Sequence, residues 1–546
     1  MILNIKILLV VPRYSSTNQP DYSYTFPLGL GYISSVLKNA GYQVDCINLN
    51  HLRGDSAEIL NKCLNSATYD FVCTGNTASG YTETEKILNI TREHPSKPKT
   101  ILGGIIITAE PDIVFDSLRP IYAVIGEGEE TIVELLDHAI EGKDLGEVKG
   151  IMYHDLHGKV VRTPPREAIE DLHSIPIPDF EGFDFHEQLD NTYTNPNYNT
   201  NLFDHPRLYP LLASRSCPFH CTFCYHDSKY RVRSIENIME ELIPMVKRHK
   251  INIICIYDEC FATNKKRILD FCERVKILQN EITWKLNWTC QIRVESVDRE
   301  LLKIMKDAGC GAISYGFESF SPVVLKSMRK HIKPEQIDRA LKDTLGEKIA
   351  VQANFIFGDV AETKETAEVT LDYWKINCNA QVQLGFVQPY PGSILFEHCV
   401  KKGLIKDKLE FIKNVGNMIN SRGFKLNMTD NMTDKELNEL RDKVLLLYDK
   451  YRKTVRPLWI KNSGENLYSF KVKCPYCQSI VEYNNCFATN AKVYSFHMTC
   501  RNCGYRFYIT DPIHFFVHAL VSRFTIVAKL RWLRSLYYST RMAFKK

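Results

Sequence analysis

The chain opens with short apolar runs that alternate with stretches where apolar residues recur every three or four positions. IKILLVV (5–11) is an unbroken apolar run of the kind carried by a strand buried on both faces. Leu30, Ile33, Val36 and Leu37 then fall at helical spacing, and Gly41 ends the segment. Tyr42–Leu49, FVCTG (71–75), TILGG (100–104) and AVIGEG (123–128) follow as strands, each with a helical pattern after it. This alternation predicts a parallel, doubly wound sheet. A second alternation starts at Tyr209. Strands are predicted at Tyr209–Ser214, Ile251–Asp258, Trp284–Ile292, Gly311–Phe317, Val351–Phe357 and Val382–Gln388. Helices are predicted between them over 234–248, 264–278, 298–308, 321–345 and 363–376. Six such units suit a partial (β/α)6 barrel.

Punctuation divides the chain. DLHSIPIPDF (171–180) is proline-rich and NTYTNPNYNTN (191–201) is polar, so an irregular connector is expected there. After the barrel, TDKELNELRDKVLLLYDKYRK (433–453) carries a stripe of Leu437, Leu440, Val444, Leu445 and Tyr448, a helix expected to pack on the barrel. The organisation expected is an α/β chain: a doubly wound domain over 1–145, a linker over 146–204, the barrel over 205–400, a helical extension over 401–465, a small cysteine-bearing ribbon over 466–511 and a basic tail over 512–546.

Composition narrows the class. At about 150 residues per domain, 546 residues suggest three or four domains. With 44% hydrophobic and 24% charged residues, a disordered or fibrous chain is excluded. No run reaches the roughly 18 apolar residues that span a bilayer. The N-terminal apolar run lacks a basic flank and a small-residue cleavage site, so it reads as a strand and not as a signal peptide. A net charge of +5 is too small to argue for a nucleic-acid partner.

Eighteen cysteines change the picture. A disulfide scaffold does not suit this size without an export signal. Cys46, Cys63, Cys73, Cys255, Cys260, Cys272, Cys290, Cys310, Cys378 and Cys399 are scattered through apolar segments, as small core residues are. Two groups are not scattered. In SRSCPFHCTFCYHD (214–227), Cys217, Cys221 and Cys224 have CxxxCxxC spacing. Three thiolates on one loop can hold three irons of a [4Fe–4S] cluster and leave the fourth open. The alternative is a zinc site, which would need a fourth ligand such as Cys260 or His226. CPYCQS (474–479) and CRNCGY (500–505) place Cys474, Cys477, Cys500 and Cys503 in paired CxxC knuckles, a set that satisfies tetrahedral Zn²⁺. VEYN and YSFHM between them look like ribbon strands. A rubredoxin-like iron site or an auxiliary cluster are the alternatives at that site.

Ligands of doubly wound sheets bind at the carboxyl ends of strands. Those ends carry Gly75, Asn76, Thr77, Ser79, Gly103, Gly104, Gly126, Glu127 and Gly128, and the small residues among them let a bulky ligand lie close. The barrel strand ends are polar: Asp258 and Glu259, Gln291 and Arg293, Glu318 and Ser319, and FIFGDVAET (355–363) with Gly358.

PLGLGYISSVLKNAGYQV (27–44), LGGIIITAEP (102–111) and IGEGEETIVELL (125–136) resemble the cobalamin-binding domain at the N-terminus of many radical S-adenosylmethionine (SAM) enzymes. The DxHxxG motif that ligates cobalt in one class of these domains is absent; His51 lies nearby without the pattern. The cysteine loop, with Pro218, Phe223 and Tyr225, resembles the radical SAM motif, and PYPGS (389–393) resembles a motif of its cobalamin-dependent branch. The resemblance implies a cluster on Cys217, Cys221 and Cys224 that chelates SAM beside Tyr225 and cleaves it reductively to a 5′-deoxyadenosyl radical. It further implies SAM contacts from strand-end groups: Glu259 to the amino group, Arg293 to the carboxylate, Gln291 and Glu318 to the ribose or amino-acid end, Ser319 as a further cofactor contact, and Gly358 beside the adenine. Gly-Gly-Glu of that pattern is replaced here by Tyr257-Asp258-Glu259, and Pro-Gly-Glu by Val360-Ala361-Glu362.

The tail has no acidic residue after Ile513. His514, His518, Ser522, Thr525 and Lys529 fall on one helical face of it, and an amphipathic helix with Trp532, Tyr537 and Tyr538 suits a membrane interface. Docking on its own protein is the alternative.

The leading expectation is a cobalamin-dependent radical SAM methyltransferase acting on an unactivated carbon or phosphorus centre. Its partners would be a small-molecule or lipid-like substrate and an electron donor such as flavodoxin or ferredoxin, with no nucleic acid. It would be cytoplasmic, with peripheral membrane contact through the tail. A radical cyclase or rearrangement enzyme, and a non-catalytic corrinoid- or metal-sensing scaffold, are the alternatives. A methylthiotransferase would need N-terminal cluster cysteines, and Cys46, Cys63 and Cys73 form no such motif.

Overall fold

The computed structural model describes residues 5–14, 18–22, 26–194, 200–226, 228–420, 426–464, 466–488 and 494–523. Contacts divide the chain into two units: residues 1–191, 222–233 and 388–426, and residues 192–221, 234–387 and 427–546.

The first unit is built on a seven-stranded sheet. Its strands are β1 (Lys6–Val11), β2 (Gln43–Asn48), β3 (Phe71–Gly75), β4 (Lys99–Gly103), β5 (Tyr122–Val124), β6 (Ile151–His154) and β7 (Val160–Arg162). The order is β2-β1-β3-β4-β5-β6-β7, with β1 to β5 parallel. β1 is almost wholly buried, as its apolar run requires. The connection reverses direction between β1 and β3, the switch point at which such sheets bind ligands.

Two segments depart from the expectation. Residues 151–162, inside the segment read as a linker, add two antiparallel strands to the sheet. Asp155 organises their turn by accepting from the His157 and Lys159 amides, and Gly158 takes φ +76° there. The helix Lys408–Asn420, placed by the sequence in an extension after the barrel, packs in this unit. Its Leu409 and Ile412 join a core of Tyr81, Leu88, Leu102 and Phe115.

The second unit holds six parallel strands: β8 (Leu208–Leu211), β11 (Ile253–Ile256), β12 (Asn287–Gln291), β13 (Cys310–Glu318), β14 (Ala350–Phe357) and β15 (Val382–Phe386), in the order β15-β14-β13-β12-β11-β8. Right-handed strand–helix units in sequential order make the expected partial barrel. The segment predicted as one strand over 209–214 divides: Leu208–Leu211 stays in the barrel sheet as β8, and Ser214–Arg215 (β9) leaves it. Arg231–Val232 forms β10. The helix predicted over 321–345 also divides, into Pro322–Ser327 and Pro334–Gly346. Pro334 disfavours helix in the residue before it, and Arg329 and His331 take φ near +52° and +53°. The helix Asp434–Tyr451 packs where expected, with Trp374 of the barrel stacked on Tyr448 at 6.1 Å.

The ribbon lies in the same unit. Its strands are β16 (Thr454–Val455), β17 (Trp459–Gly464), β18 (Leu467–Lys473), β19 (Ile480–Phe487), β20 (Ser495–Thr499) and β21 (Arg506–Thr510). β17-β18-β19 and β16-β21-β20 form two three-stranded sheets over a core of Tyr468, Phe470, Tyr483, Phe496 and Phe507. The helix Pro512–Arg523 follows, with His514 bonded to Asp511 at 2.5 Å. The rest of the expected amphipathic face, from Thr525 through Lys529, Trp532, Tyr537 and Tyr538, lies outside the described residues. Among the described residues no helix is long and apolar enough to cross a membrane.

Candidate functional site

The first two cysteines of the CxxxCxxC loop lie in the second unit at the carboxyl side of the barrel strands. Cys260, from the loop after β11, hydrogen-bonds the Cys217 sulfur and draws its pKa down to about 7 against the opposing effect of burial; the Phe219 amide adds to this. A thiol held this way is ready to be a thiolate ligand. So Cys260, expected as an inert core residue, supports Cys217.

Around these thiols stand the groups expected from the strand ends. The Arg293 guanidinium stacks on the Phe219 ring at 3.7 Å, pairs with Glu295 and donates to the Lys330 carbonyl at 2.8 Å. Glu318 ends β13 with φ +61° and meets Lys330 Nζ at 3.0 Å. Burial alone would lower the Lys330 pKa, but the charges of Glu318 and Cys221 hold it above the ordinary lysine value. Lys330 is thus a cation next to the cysteine loop, beside Arg293. The sequence reading missed it because it sits in the break between two helices and not at a strand end. The basic run KSMRKHIK (326–333) was the available signal.

The other expected contacts separate. Glu259 is exposed beside the cysteines, and its backbone carbonyl accepts from the Gln291 amide at 3.0 Å. Gly358 has φ +93° and only Phe386 and Val387 near its open side. Ser319 turns inward instead of facing the strand ends. Its hydroxyl meets Thr370 at 3.2 Å and accepts from the Ser321 amide, so it fixes a turn. Asp258 is also a tie, accepting from the Ala213 amide and the Ser214 hydroxyl, each at 2.7 Å; burial raises its pKa to about 6. Glu362 is buried, pushed up to about 7 by desolvation, and accepts from Thr366 and the Gly358 amide.

Cys224 and Tyr225 belong to the segment grouped with the first unit. Within that unit the segment is held at three points. The Leu395 amide donates to the Thr222 carbonyl at 2.8 Å. The Tyr225 ring lies so near Gly392 of the PYPGS turn that a Cβ there would fall 2.5 Å from it. Arg231 makes a two-pronged pair with Glu127 at 2.8 and 2.9 Å, both side chains largely buried. Glu127, expected among the strand-end residues that face a ligand, is taken up by this pair instead.

At the strand ends of the first sheet the glycines do different work. Gly103 and Gly126 face open space, the second with φ +83°. Gly75 and Gly104 let backbones pass closely: a Cβ would lie 3.0 Å from the Gly103 carbonyl and 2.9 Å from the Asn76 carbonyl, respectively. Gly128 packs on Ile33. Thr77 and Ser79 are exposed and share a hydrogen bond of 2.7 Å. The buried Asn76 amide nitrogen in the same turn lacks a hydrogen-bond partner. Open glycines, paired hydroxyls and an unsatisfied donor make a cradle that fits a large polar-edged ligand such as a corrinoid. His51 does not join it. It is buried against Tyr22 at 4.8 Å, burial lowers its pKa to about 4, and Arg13 fixes its loop through the carbonyls of Leu49, Leu52 and Gly54.

The four ribbon cysteines do come together. Their sulfurs all lie within 4.8 Å of one another, with Cys474–Cys503 at 3.8 Å and Cys477–Cys500 at 3.7 Å.

Residues 211–373 match the radical SAM superfamily, and residues 21–136 match the B12 binding domain. The chain joins a B12-binding domain to a radical SAM domain. It is an enzyme with a region that matches the radical SAM superfamily. An uncharacterized methyltransferase of Pyrococcus horikoshii is 29% identical over 73% of this chain and 84% of its own. The anaerobic magnesium-protoporphyrin IX monomethyl ester cyclase of Rubrivivax gelatinosus is 28% identical over 72% of this chain and 70% of its own. The radical SAM methyltransferase TsrM of Kitasatospora setae, solved with tryptophan and a SAM analogue, shares the fold with a TM-score of 0.60 at 18% identity, over 73% of this chain and 77% of that one. The radical SAM domain begins at β8 and includes every barrel residue from the cysteine loop to Glu362.

Proposed function

We propose that this chain is a radical SAM enzyme that transfers a methyl group to an unactivated carbon or phosphorus centre by way of a corrinoid. The observation that carries the reading is the pairing, in one chain, of a supported cysteine loop with a glycine-lined cradle at a B12-domain switch point. When bound, the cluster supplies the electron that cleaves SAM and the corrinoid supplies the methyl group.

The chain's own residues prepare these sites. Cys217, Cys221 and Cys224 are the cluster ligands, with Cys260 hydrogen-bonded to Cys217. Glu259 receives the SAM amino group in this reading, and Gln291 holds the loop that carries it. Arg293, anchored on Phe219, fixes the direction of the site's positive charge, and Lys330 with Glu318 sets the charge beside Cys221. Gly358 leaves room for an adenine, and Tyr225 flanks the third cysteine. Gly103, Gly126, Thr77 and Ser79 line the corrinoid cradle, while Gly75, Gly104 and Gly128 shape its floor. The ribbon's four thiolates suit Zn²⁺, whose preference is four tetrahedral sulfur ligands. The substrate is a small or lipid-like molecule, and electrons come from a flavodoxin- or ferredoxin-like donor in the cytoplasm.

The test uses anaerobic holoenzyme with SAM labelled in its methyl group. Label in the protein-bound corrinoid fraction, together with 5′-deoxyadenosine after reduction, is expected. Release of 5′-deoxyadenosine with no label on the corrinoid would contradict methyl transfer and favour a cyclase-type radical reaction, the activity named for the Rubrivivax relative.

A further inference from the structure

We propose that the ribbon is a metal-dependent clasp across the amino-terminal end of the barrel, joining its two edge strands. This rests on the ribbon site holding zinc, as proposed above, and adds what the zinc is for.

The barrel sheet has β8 at one edge and β15 at the other. The residues that lead into both are bonded to the two cysteine knuckles. The first knuckle reaches β15. Tyr476, between Cys474 and Cys477, donates its hydroxyl to the Asn379 carbonyl at 2.8 Å and accepts from the Gln381 amide at 3.1 Å. The second knuckle reaches β8. Arg501, between Cys500 and Cys503, donates to the Asn201 carbonyl at 2.9 Å and to Asp204 at 2.7 Å. Asp204 also accepts from the Asn484 backbone and side chain, at 2.9 and 3.0 Å.

The segment after Cys503 secures the middle. Gly504, with φ +78°, lies against the Lys348 backbone just before β14; a Cβ would sit 3.1 Å from that carbonyl. The buried Arg506 then closes a reciprocal pair with Gln381. Its amide donates to the Gln381 side chain at 2.6 Å, its own carbonyl accepts from that side chain at 3.1 Å, and its guanidinium reaches the Gln381 carbonyl. Upstream of β8, Thr194 bridges to Cys486, with its amide on the Asn485 carbonyl at 2.9 Å and its hydroxyl on the Asn484 carbonyl at 3.0 Å.

The anchors at Tyr476, Arg501, Gly504 and Arg506 are inside a CxxC loop or within three residues of its last cysteine, while those at Asn484, Asn485 and Cys486 belong to β19. The direction of each of the first four depends on the shape of its loop. Four thiolates converging on one ion fix both loops relative to each other, which side chains alone on short irregular backbone do not. The clasp sits at the strand ends opposite those that carry the cysteine loop and Glu318. That position suits fold maintenance, since chemistry in such barrels is at the carboxyl ends.

The experiment uses full-length anaerobic holoenzyme. Zinc and iron are measured together, and hydrogen exchange is followed in segments 200–211 and 379–386. Zinc is expected in the ribbon, and Cys477→Ser with Cys503→Ser is expected to lose it and to speed exchange in both segments by at least about tenfold. A second variant, Arg501→Ala with Gln381→Ala, keeps all four thiols. It is expected to retain zinc and still show the faster exchange in both segments. If that second variant retains zinc with exchange unchanged, the clasp is wrong although the zinc site stands. If the wild-type ribbon holds iron, or no metal and four alkylatable thiols, the zinc reading itself is wrong.

Discussion

Lys330 is the residue that most changes how the radical site is read. Its ammonium and the Glu318 carboxylate are 3.0 Å apart, with side chains 12% and 10% exposed. Removing one partner of a buried pair strands the other and costs about 3–5 kcal/mol. Lys330→Met is therefore expected to lower the thermal midpoint and to suppress SAM cleavage, whereas Lys330→Arg retains part of both; 5′-deoxyadenosine yield in single-turnover assays checks this. Glu362 gives a pH prediction. Its folded pKa, raised by desolvation to about 7, lies above the ordinary glutamate value of 4.5. Between those values the unfolded chain loses a proton that the folded chain keeps, so this group's contribution to stability falls as pH rises and is constant above about 7. Glu362→Gln should flatten that part of the profile, as seen in thermal midpoints measured from pH 4.5 to 7.5. An unchanged slope would show that Glu362 is ionised throughout.

At the scale of elements, the PYPGS turn is a seat for the loop that carries the third cysteine. Gly392 has φ +82°, and the Tyr225 ring fills the place of a side chain. Gly392→Ala meets both a strained backbone and a clash, and should cost on the order of 1–3 kcal/mol. Iron content of the purified variant is expected to fall with it; full iron occupancy at wild-type stability would contradict the seating role. Much at this scale was legible in the sequence. The parallel strands carried long apolar runs, and the cysteine spacing is local chemistry that needs no tertiary information. What was hidden depends on contacts between distant segments. The β6–β7 hairpin has an edge strand of only three residues, too short to show a period, and lies inside a stretch that reads as linker. The helix over 408–420 has an apolar face, but nothing in that face says which core it joins. Ser319 and Asp258 looked like ligand-facing strand ends, yet their bonds to Thr370, Ala213 and Ser214 turn them into structural ties. Glu127 was legible as a strand-end residue, but its partner Arg231, 104 residues further on, was not.

At the scale of the whole molecule, one chain carries a three-cysteine loop, a glycine-lined cradle and a four-cysteine ribbon, each proposed to hold a metal or cofactor. The eighteen cysteines divide accordingly into seven for the two metal sites and the rest for cores, with Cys260 lending a hydrogen bond to the first site. The most direct measurement is on anaerobically purified and reconstituted protein, with iron, cobalt and zinc quantified together before SAM and dithionite are added. The account predicts about four irons per chain, ribbon zinc, bound corrinoid and formation of 5′-deoxyadenosine. Iron and 5′-deoxyadenosine without corrinoid would contradict corrinoid-based methyl transfer, and zinc alone with no SAM cleavage would contradict the account as a whole.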